Sequence, residues 1–467
     1  MKTKYLRYLC FALAALTIVS CQKLVEGIND NPNQMTLDAV SPGLFMNGAE
    51  LSNITVQLYD LNRMAGFYSG QLIGVDQVEK SKYEYSITTG TFDWSGYQSV
   101  IAPIREMQKR TVDNPLYQGI TRVLEANLIG TYASLFGDLP YSEAVTDVEN
   151  PRFDDQLEVF ENLQSVLSDA IDFLGNATGY VVSQDYIFSG NRIKWLQTAW
   201  TLKARFYMYT KDYDLAFIAA QNGISIRANS MLFKPLDVAG DNSTKNKYYI
   251  ALANNLIVGT GNSYLIRLLD ATSGISRNNA KTNEAARLAY YIIHHESAAS
   301  NTGIAAPLEP EPIVTFQENL LTLAEAGART QGFNTGLQYL NQLRAELNTG
   351  LYFNSSAAGF TRQYDPYEVA DFDIGGIENP DGIEPLRALL REIIEERYIS
   401  GFTSFMPYDD SRRLKRTDSD IAVPFPLNTP TATQNVERFL YPADEIESNA
   451  NAPEDPGMYA VTRVNAL

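Results

Sequence analysis

The sequence predicts a mainly α-helical fold in which helix hairpins carry long irregular segments. Helical spacing of apolar residues recurs in several long windows, most cleanly over 156–174, where Leu157, Phe160, Leu163, Leu167, Ala170, Ile171 and Leu174 return every three or four positions. Between such windows, residues 226–312 and 349–380 are rich in Asn, Ser, Thr, Gly and Tyr and lack that period. The 45% apolar and 20% charged composition is that of a folded globular chain with a large core.

The helices follow in order. Thr91–Tyr97 is an aromatic loop leading into a helix over about 97–110. Residues 116–136 put Leu116, Ile120, Val123, Leu124, Leu128, Tyr132 and Leu135 on one face. Asp155, with Glu158 three places on, has the arrangement of a capping box for the helix over 156–174. Gly190-Asn191 precede a helix over 192–211, and a short one over 213–224 stops at Gly223. In the irregular middle only 282–296 reads as helix, and Pro307, Pro310 and Pro312 close that stretch. Helices over 314–328 and 335–348 are joined by a short Gly-containing link, which predicts an antiparallel pair. A last helix starts with Pro385 in its first turn and runs to about Tyr398. The loop-like, Pro-rich segment 401–467 is expected to be ordered only by packing on the helices. Helix pairs of this size suggest tetratricopeptide-like units, although the repeat consensus itself is not visible.

The N-terminus carries an export signal. Lys2, Lys4 and Arg7 precede an apolar run, Tyr8 to Val19, which is too short to span a membrane. It ends in Ile18-Val19-Ser20-Cys21, small residues before a thiol that can take diacylglycerol. Residues 1–20 are therefore expected to be a lipoprotein signal peptide, Cys21 the lipidated residue, and 21–44 a tether. Gln22, not an aspartate, follows Cys21, so inner-membrane retention is not indicated. A net charge of −18 argues against nucleic acid and anionic lipid heads as partners.

The sequence offers little for catalysis. His294 and His295 are adjacent, and no HExxH, P-loop, GxGxxG or GxSxG is present. No cofactor or metal site is expected. Paired acids from distant segments, as in a helical glycoside hydrolase, form the remote alternative. Glu395, Glu396, Arg397, Asp410, Arg412 and Arg413 are the densest charged constellation. It reads either as an arginine fork for a ligand or, preferably, as ion pairing between the last helix and the C-terminal segment.

Sugar recognition needs flat apolar faces and planar polar groups. With 28 Tyr and 21 Phe the chain has many rings. The candidates are Trp94 first, then Phe92, Tyr97, Phe67 and Tyr68, with Asn262, Tyr264 and Arg267 as polar partners in the irregular middle.

Several segments in order resemble the SusD/RagB family of Bacteroidetes. They are Tyr132–Tyr141 with its Gly-Asp-Leu-Pro-Tyr turn; Phe153-Asp154-Asp155-Gln156 leading into Val159–Leu163; and Trp195-Leu196 through Leu202–Phe206. Leu323-Ala324-Glu325-Ala326, Ile394–Arg397 with Asp410–Arg413, and Arg438–Pro442 with Glu445, Asn449 and Asn451 complete the set. Tyr408 stands where the family often has Trp before the Asp-x-Arg-Arg element. The resemblance implies about four tetratricopeptide-like hairpins carrying a large irregular ligand-binding half. On that reading 45–467 is one domain, with scaffold over about 95–225 and 314–400, irregular binding regions over about 45–95, 226–312 and 349–380, and a wrapping segment over 401–467. It further implies a non-catalytic, surface-exposed, lipid-anchored outer-membrane protein that captures glycan for a SusC-like TonB-dependent transporter, with peptide as the alternative ligand.

Overall fold

The computed structural model describes residues 40–467. The expected signal peptide, Cys21 and most of the tether lie outside the described residues. The scaffold is a succession of four helix hairpins. Helix α1 (Pro42–Leu58) packs on α4 (Ser95–Arg110), with α2 (Asp60–Tyr68) and α3 (Gln77–Tyr83) between them in sequence. Helix α5 (Pro115–Phe136) pairs with α6 (Gln156–Asn176), and α7 (Arg192–Tyr209) with α8 (Tyr213–Ala220). After an insertion carrying α9 (Lys247–Ala253), α10 (Tyr264–Leu269) and α11 (Ala285–Tyr291), the fourth hairpin joins α12 (Phe316–Thr330) to α13 (Phe333–Asn348). Helix α8 rests on α12, so the insertion leaves the stack of hairpins unbroken. Helix α14 (Pro385–Ser400) then packs on α12 and α13, followed by α15 (Met406–Leu414) and the short α16 (Ala443–Ser448) and α17 (Arg463–Ala466).

Local chemistry sets the helix ends. Asp155 accepts from the Leu157 N–H and Asn191 from the Ile193 and Lys194 N–H groups, filling orphan donors of the first turn. The α12–α13 turn passes through Gly332 at φ 94°, a left-handed conformation that costs glycine little. Helix α6 buries Val159, Phe160, Leu163, Leu167, Ala170 and Leu174, the stripe its period predicts. Helix α5 is buried on nearly every side, because it lies among α1, α4, α6 and α7.

Four two-stranded antiparallel pairs tie the irregular chain down. β1 (Ile73–Gly74) pairs with β5 (Val258–Gly259), and β2 (Leu139–Pro140) with β3 (Phe153–Asp154). β4 (Met231–Phe233) pairs with β7 (Glu311–Val314), and β6 (Thr282–Asn283) with β8 (Gln363–Tyr364). The last pair fastens the two long irregular stretches to each other. The C-terminal segment returns to the scaffold: the Phe439 N–H donates to the Leu135 carbonyl at 2.8 Å, and Arg463 pairs with Asp138 at 3.0 Å and Asp155 at 2.9 Å.

Three expectations need correction. Residues 45–95 are not irregular but carry α1 to α3. Their stripe is hard to read because α1 buries polar side chains: Glu50, Asn53 and Gln57 all lie on its inner side, and Gln57 donates to the Asn127 carbonyl and Thr131 Oγ1 of α5. The segment after 401 is not all loop, since the charged run Met406–Leu414 is helical, with Pro407 in its first turn. The helix expected over 282–296 is only Ala285–Tyr291, so His294 and His295 lie beyond it.

The hairpin contacts are tight where glycine permits. A Cβ at Gly130 on α5 would lie 2.2 Å from Phe206 Cζ on α7, whereas one at Gly175 on α6 would meet nothing within 4 Å. Gly130→Ala is therefore expected to cost about 1–3 kcal/mol through overpacking. Gly175→Ala is expected to add about 0.5–1 kcal/mol by restricting the unfolded chain. Urea denaturation of both variants checks the pair; equal effects at the two positions would contradict this packing.

Candidate functional site

The structure separates the candidate residues into two groups. Phe67, Tyr68, Phe92 and Tyr97 are buried in the core. Phe92 stacks on Phe439 at 5.1 Å and meets Phe136 edge-on, Tyr68 meets Phe439 at 5.9 Å, and the Tyr97 hydroxyl donates to the Pro140 carbonyl. Their expected role in ligand contact is therefore corrected to packing. Trp94 is half-buried at the start of α4 and has five rings around it: Tyr97, Tyr132, Phe136, Phe153 and Tyr441. The same aromatic faces that suit a sugar also suit one another, and the returning C-terminal segment supplies a partner far away in sequence.

Asn262, Tyr264 and Arg267 lie together at α10. Asn262 is exposed, and Tyr264 is half-buried, edge-on to Tyr398, which in turn stacks on Phe425. Burial, followed by the Glu395 charge, pushes the Tyr264 phenol up to about 12. None of the eight candidates lines either of the two large clefts.

Those clefts lie back to back across β4. Side chains of a strand alternate between faces, so Leu232 and Lys234 enter one cleft and Phe233 the other. The first, of about 380 Å³, is lined by the insertion, by Leu351 and Tyr352 of the second irregular stretch, and by Thr315, Gln317, Ser400 and Phe402 at helix ends of the scaffold. Its rings are Tyr290, Tyr291, Tyr352 and Phe402. Tyr291 contacts Phe402 at 5.0 Å, and Tyr290 packs on Phe353. The one carboxylate in the lining, Glu309, accepts from the Tyr290 hydroxyl at 2.8 Å and the Asn354 amide at 2.7 Å, so each of its oxygens is engaged. Burial, then the Glu346 charge, push the Tyr352 phenol above its ordinary range, and its buried hydroxyl has no partner among the described residues. The Arg227 guanidinium lies 5.8 Å from the centre of the Tyr352 ring. The second cleft, of about 730 Å³, is formed by α1, the 183–186 loop, β4 and residues 236–247, with Tyr186, Phe233, Leu51 and Lys247 in its lining. Sequence reasoning singled out the irregular segments but not the cleft residues; Tyr290 and Tyr352 look like any other tyrosine until β6 and β8 bring their segments together.

An aromatic-lined cleft between a helical-hairpin scaffold and an irregular half is the setting in which the comparisons with known proteins fall. Residues 32–251 match the SusD-like family described as "Starch-binding associating with outer membrane". Over that stretch, just under half of its length, the chain matches the family that its motifs resemble. A SusD/RagB family protein from Bacteroides thetaiotaomicron shares the fold with a TM-score of 0.64 at 20% identity, over 88% of this chain and 95% of that one. A SusD homologue from Bacteroides uniformis does so with 0.64 at 16%, over 91% and 99%, and one from Parabacteroides distasonis with 0.64 at 16%, over 90% and 96%. At such identities these structures establish the fold alone. No curated protein matches the sequence. Among the described residues no helix is long and apolar enough to cross a membrane.

In this SusD-type chain the Glu-Arg and Asp-x-Arg-Arg elements are buried structure. Arg397 pairs with Asp410 at 2.6 Å and with Glu325 at 3.2 Å, Arg413 pairs with both Glu325 and Asp410 at 2.9 Å, and Arg412 with Asp409. Glu396 holds Arg277 at 2.7 Å and Arg287 at 3.0 Å, both from the insertion. Burial pushes the Glu396 carboxyl up, but the Arg287 and Arg277 charges outweigh it and hold the group at about 2, below its ordinary 4.5. A depressed carboxyl stabilises the fold above its unfolded value and loses that contribution as pH falls through the folded one. Glu396→Gln is accordingly expected to lower stability at pH 7 by roughly 3–5 kcal/mol. It should also flatten the stability profile between about pH 4.5 and 2. Chemical denaturation across that pH range measures both, and an unchanged profile would place the charge balance elsewhere.

Proposed function

We propose that this SusD/RagB-type chain is a non-catalytic, surface-exposed lipoprotein of the outer membrane that captures glycan in the 380 Å³ cleft and passes it to a SusC-like TonB-dependent transporter. The observation that carries the reading is the lining itself. The half-buried Tyr352 ring offers flat apolar surface, backed by the buried Tyr290 and Phe402, and Gln317 and Arg227 offer planar polar groups. Sugar C–H faces and paired hydroxyls require that combination. The family description, with its starch binding and outer-membrane association, supports the same reading.

Anchoring rests on sequence: the apolar run ending at Ser20-Cys21 is the lipidation signal. Capture without hydrolysis is supported by the chemistry of the lining. Glycoside hydrolysis uses two carboxyl groups across the scissile bond. The cleft has a single carboxylate, Glu309, and both its oxygens are tied to Tyr290 and Asn354.

Tyr352→Ala is expected to weaken binding of the cognate oligosaccharide about tenfold, the loss of roughly 1.4 kcal/mol of stacking. Isothermal titration of the full chain against a panel of plant, host and microbial oligosaccharides measures this, with reducing-sugar release staying at the buffer level. Binding indifferent to Tyr352, or release of reducing ends, would refute the assignment.

A further inference from the structure

The charges around β4 run against the rest of the molecule. The chain carries a net −18, and buried arginines such as Arg413 and Arg277 are locked to carboxylates. Arg227 and Lys234, both exposed and both lining the 380 Å³ cleft, have no carboxylate partner among the described residues. Arg227 is held only over the Tyr352 ring. Two further cations flank them, Lys194 also without a carboxylate partner among the described residues and Lys247 facing Glu311. Lys194 donates to the Ala228 carbonyl at 3.0 Å beside Arg227, and Lys247 sits over the Phe233 ring on the other side of β4. The buried Glu311 lies beside Lys247; burial pushes its carboxyl up, while the Lys247 and Tyr248 N–H groups and the Lys247 charge pull it down. Glu309 remains as the one negative charge in the lining, against two cations.

Magnitudes decide which charge a ligand would meet. At physiological ionic strength charges are screened beyond about 8 Å, so the distant negative surface is felt weakly and the unpaired cations in the cleft lining dominate. A guanidinium fork pairs with two oxygens of a carboxylate or sulfate, while an ammonium acts as a point charge. A pyranose lying on the Tyr352 ring would carry its ring substituents towards the adjacent Arg227 guanidinium.

We infer that the 380 Å³ cleft selects an anionic glycan, one bearing uronate carboxylates or sulfate esters, through Arg227 and Lys234. The inference rests on the glycan-capture reading of the same cleft and adds the charge of its ligand. Lys194 and Lys247 extend the positive strip along β4, so a chain longer than the cleft would keep meeting cations as it crossed the strand.

The test titrates the full chain with oligogalacturonate, its fully methyl-esterified counterpart, a chondroitin sulfate oligosaccharide, maltooligosaccharide, xylooligosaccharide and a glutamate-rich peptide. An acidic oligosaccharide is expected to bind about tenfold or more tighter than the neutral ones, the sum of two charge-assisted contacts, and to weaken as salt rises. In the double variant Arg227→Gln, Lys234→Gln the ratio of acidic to neutral affinity should fall to about one, with an unchanged melting temperature because both side chains are exposed. Neutral oligosaccharides binding as tightly as acidic ones, with dependence on Tyr352, would overturn the charge selection and leave glycan capture standing. Peptide binding that depends on Arg227 and Lys234, without any glycan binding, would keep the anionic preference and overturn the glycan. Absence of binding by every probe would overturn both.

Discussion

Arg413, at the end of α15, reaches two carboxylates on two other turns of chain: Glu325 in the middle of α12 and Asp410 on its own helix. Arg397 of α14 reaches the same two. All four groups are buried. An unpaired charge in that position would cost several kcal/mol, so the arrangement holds only when every member is in place. One turn away, Glu396 and Glu392 of α14 collect Arg277 and Arg287 from the insertion. The two clusters together make α14 the element on which scaffold, insertion and C-terminal segment are all registered. Ser400 and Phe402, just past this point, line the cleft. The geometry of the cleft therefore depends on a buried charge balance that lies outside its lining.

The molecule divides its aromatic residues between two tasks. Around Trp94 the rings close on one another and on Phe439 and Tyr441 from the returning chain, and that cluster seals the start of α4 against α5. In the cleft beside β4, Tyr290, Tyr291 and Phe402 also pack on one another, while Tyr352 is half-buried. Glu309 is saturated by Tyr290 and Asn354, and Arg227 stands over Tyr352, whose ring stays partly exposed. What separates a packing tyrosine from an exposed one is whether another part of the chain returns to cover it. The alternation of β4 then gives each cleft its own character, Lys234 on one side and Phe233 on the other.

Some of this was written locally. The stripe of α6, the Asp155 and Asn191 caps and the Gly332 turn follow from short-range spacing, and they appear where the spacing puts them. Helix α1 was hidden because it buries Glu50, Asn53 and Gln57, and the partners of Glu50 and Gln57, Tyr186 and Thr131, come only from tertiary contact, which breaks the apolar pattern. Phe92 and Tyr97 misled for the converse reason: their chemistry suits a ligand, but Phe439, Tyr132 and Pro140 already occupy that chemistry.

By itself the sequence determined the fold class, the hairpin elements, the places where regular structure gives out and the motifs of the SusD/RagB family. These depend on interactions between residues a few positions apart, or on patterns that survive in order along the chain. Tertiary structure alone decided which irregular segments meet, which rings stay uncovered and which cations go unpaired. The β6–β8 pairing joins residues 282–283 to 363–364, and Asn354 reaches back to Glu309. Contacts of that span carry no local signature, because the free energy of covering or pairing a side chain depends on a partner whose distance in sequence is arbitrary.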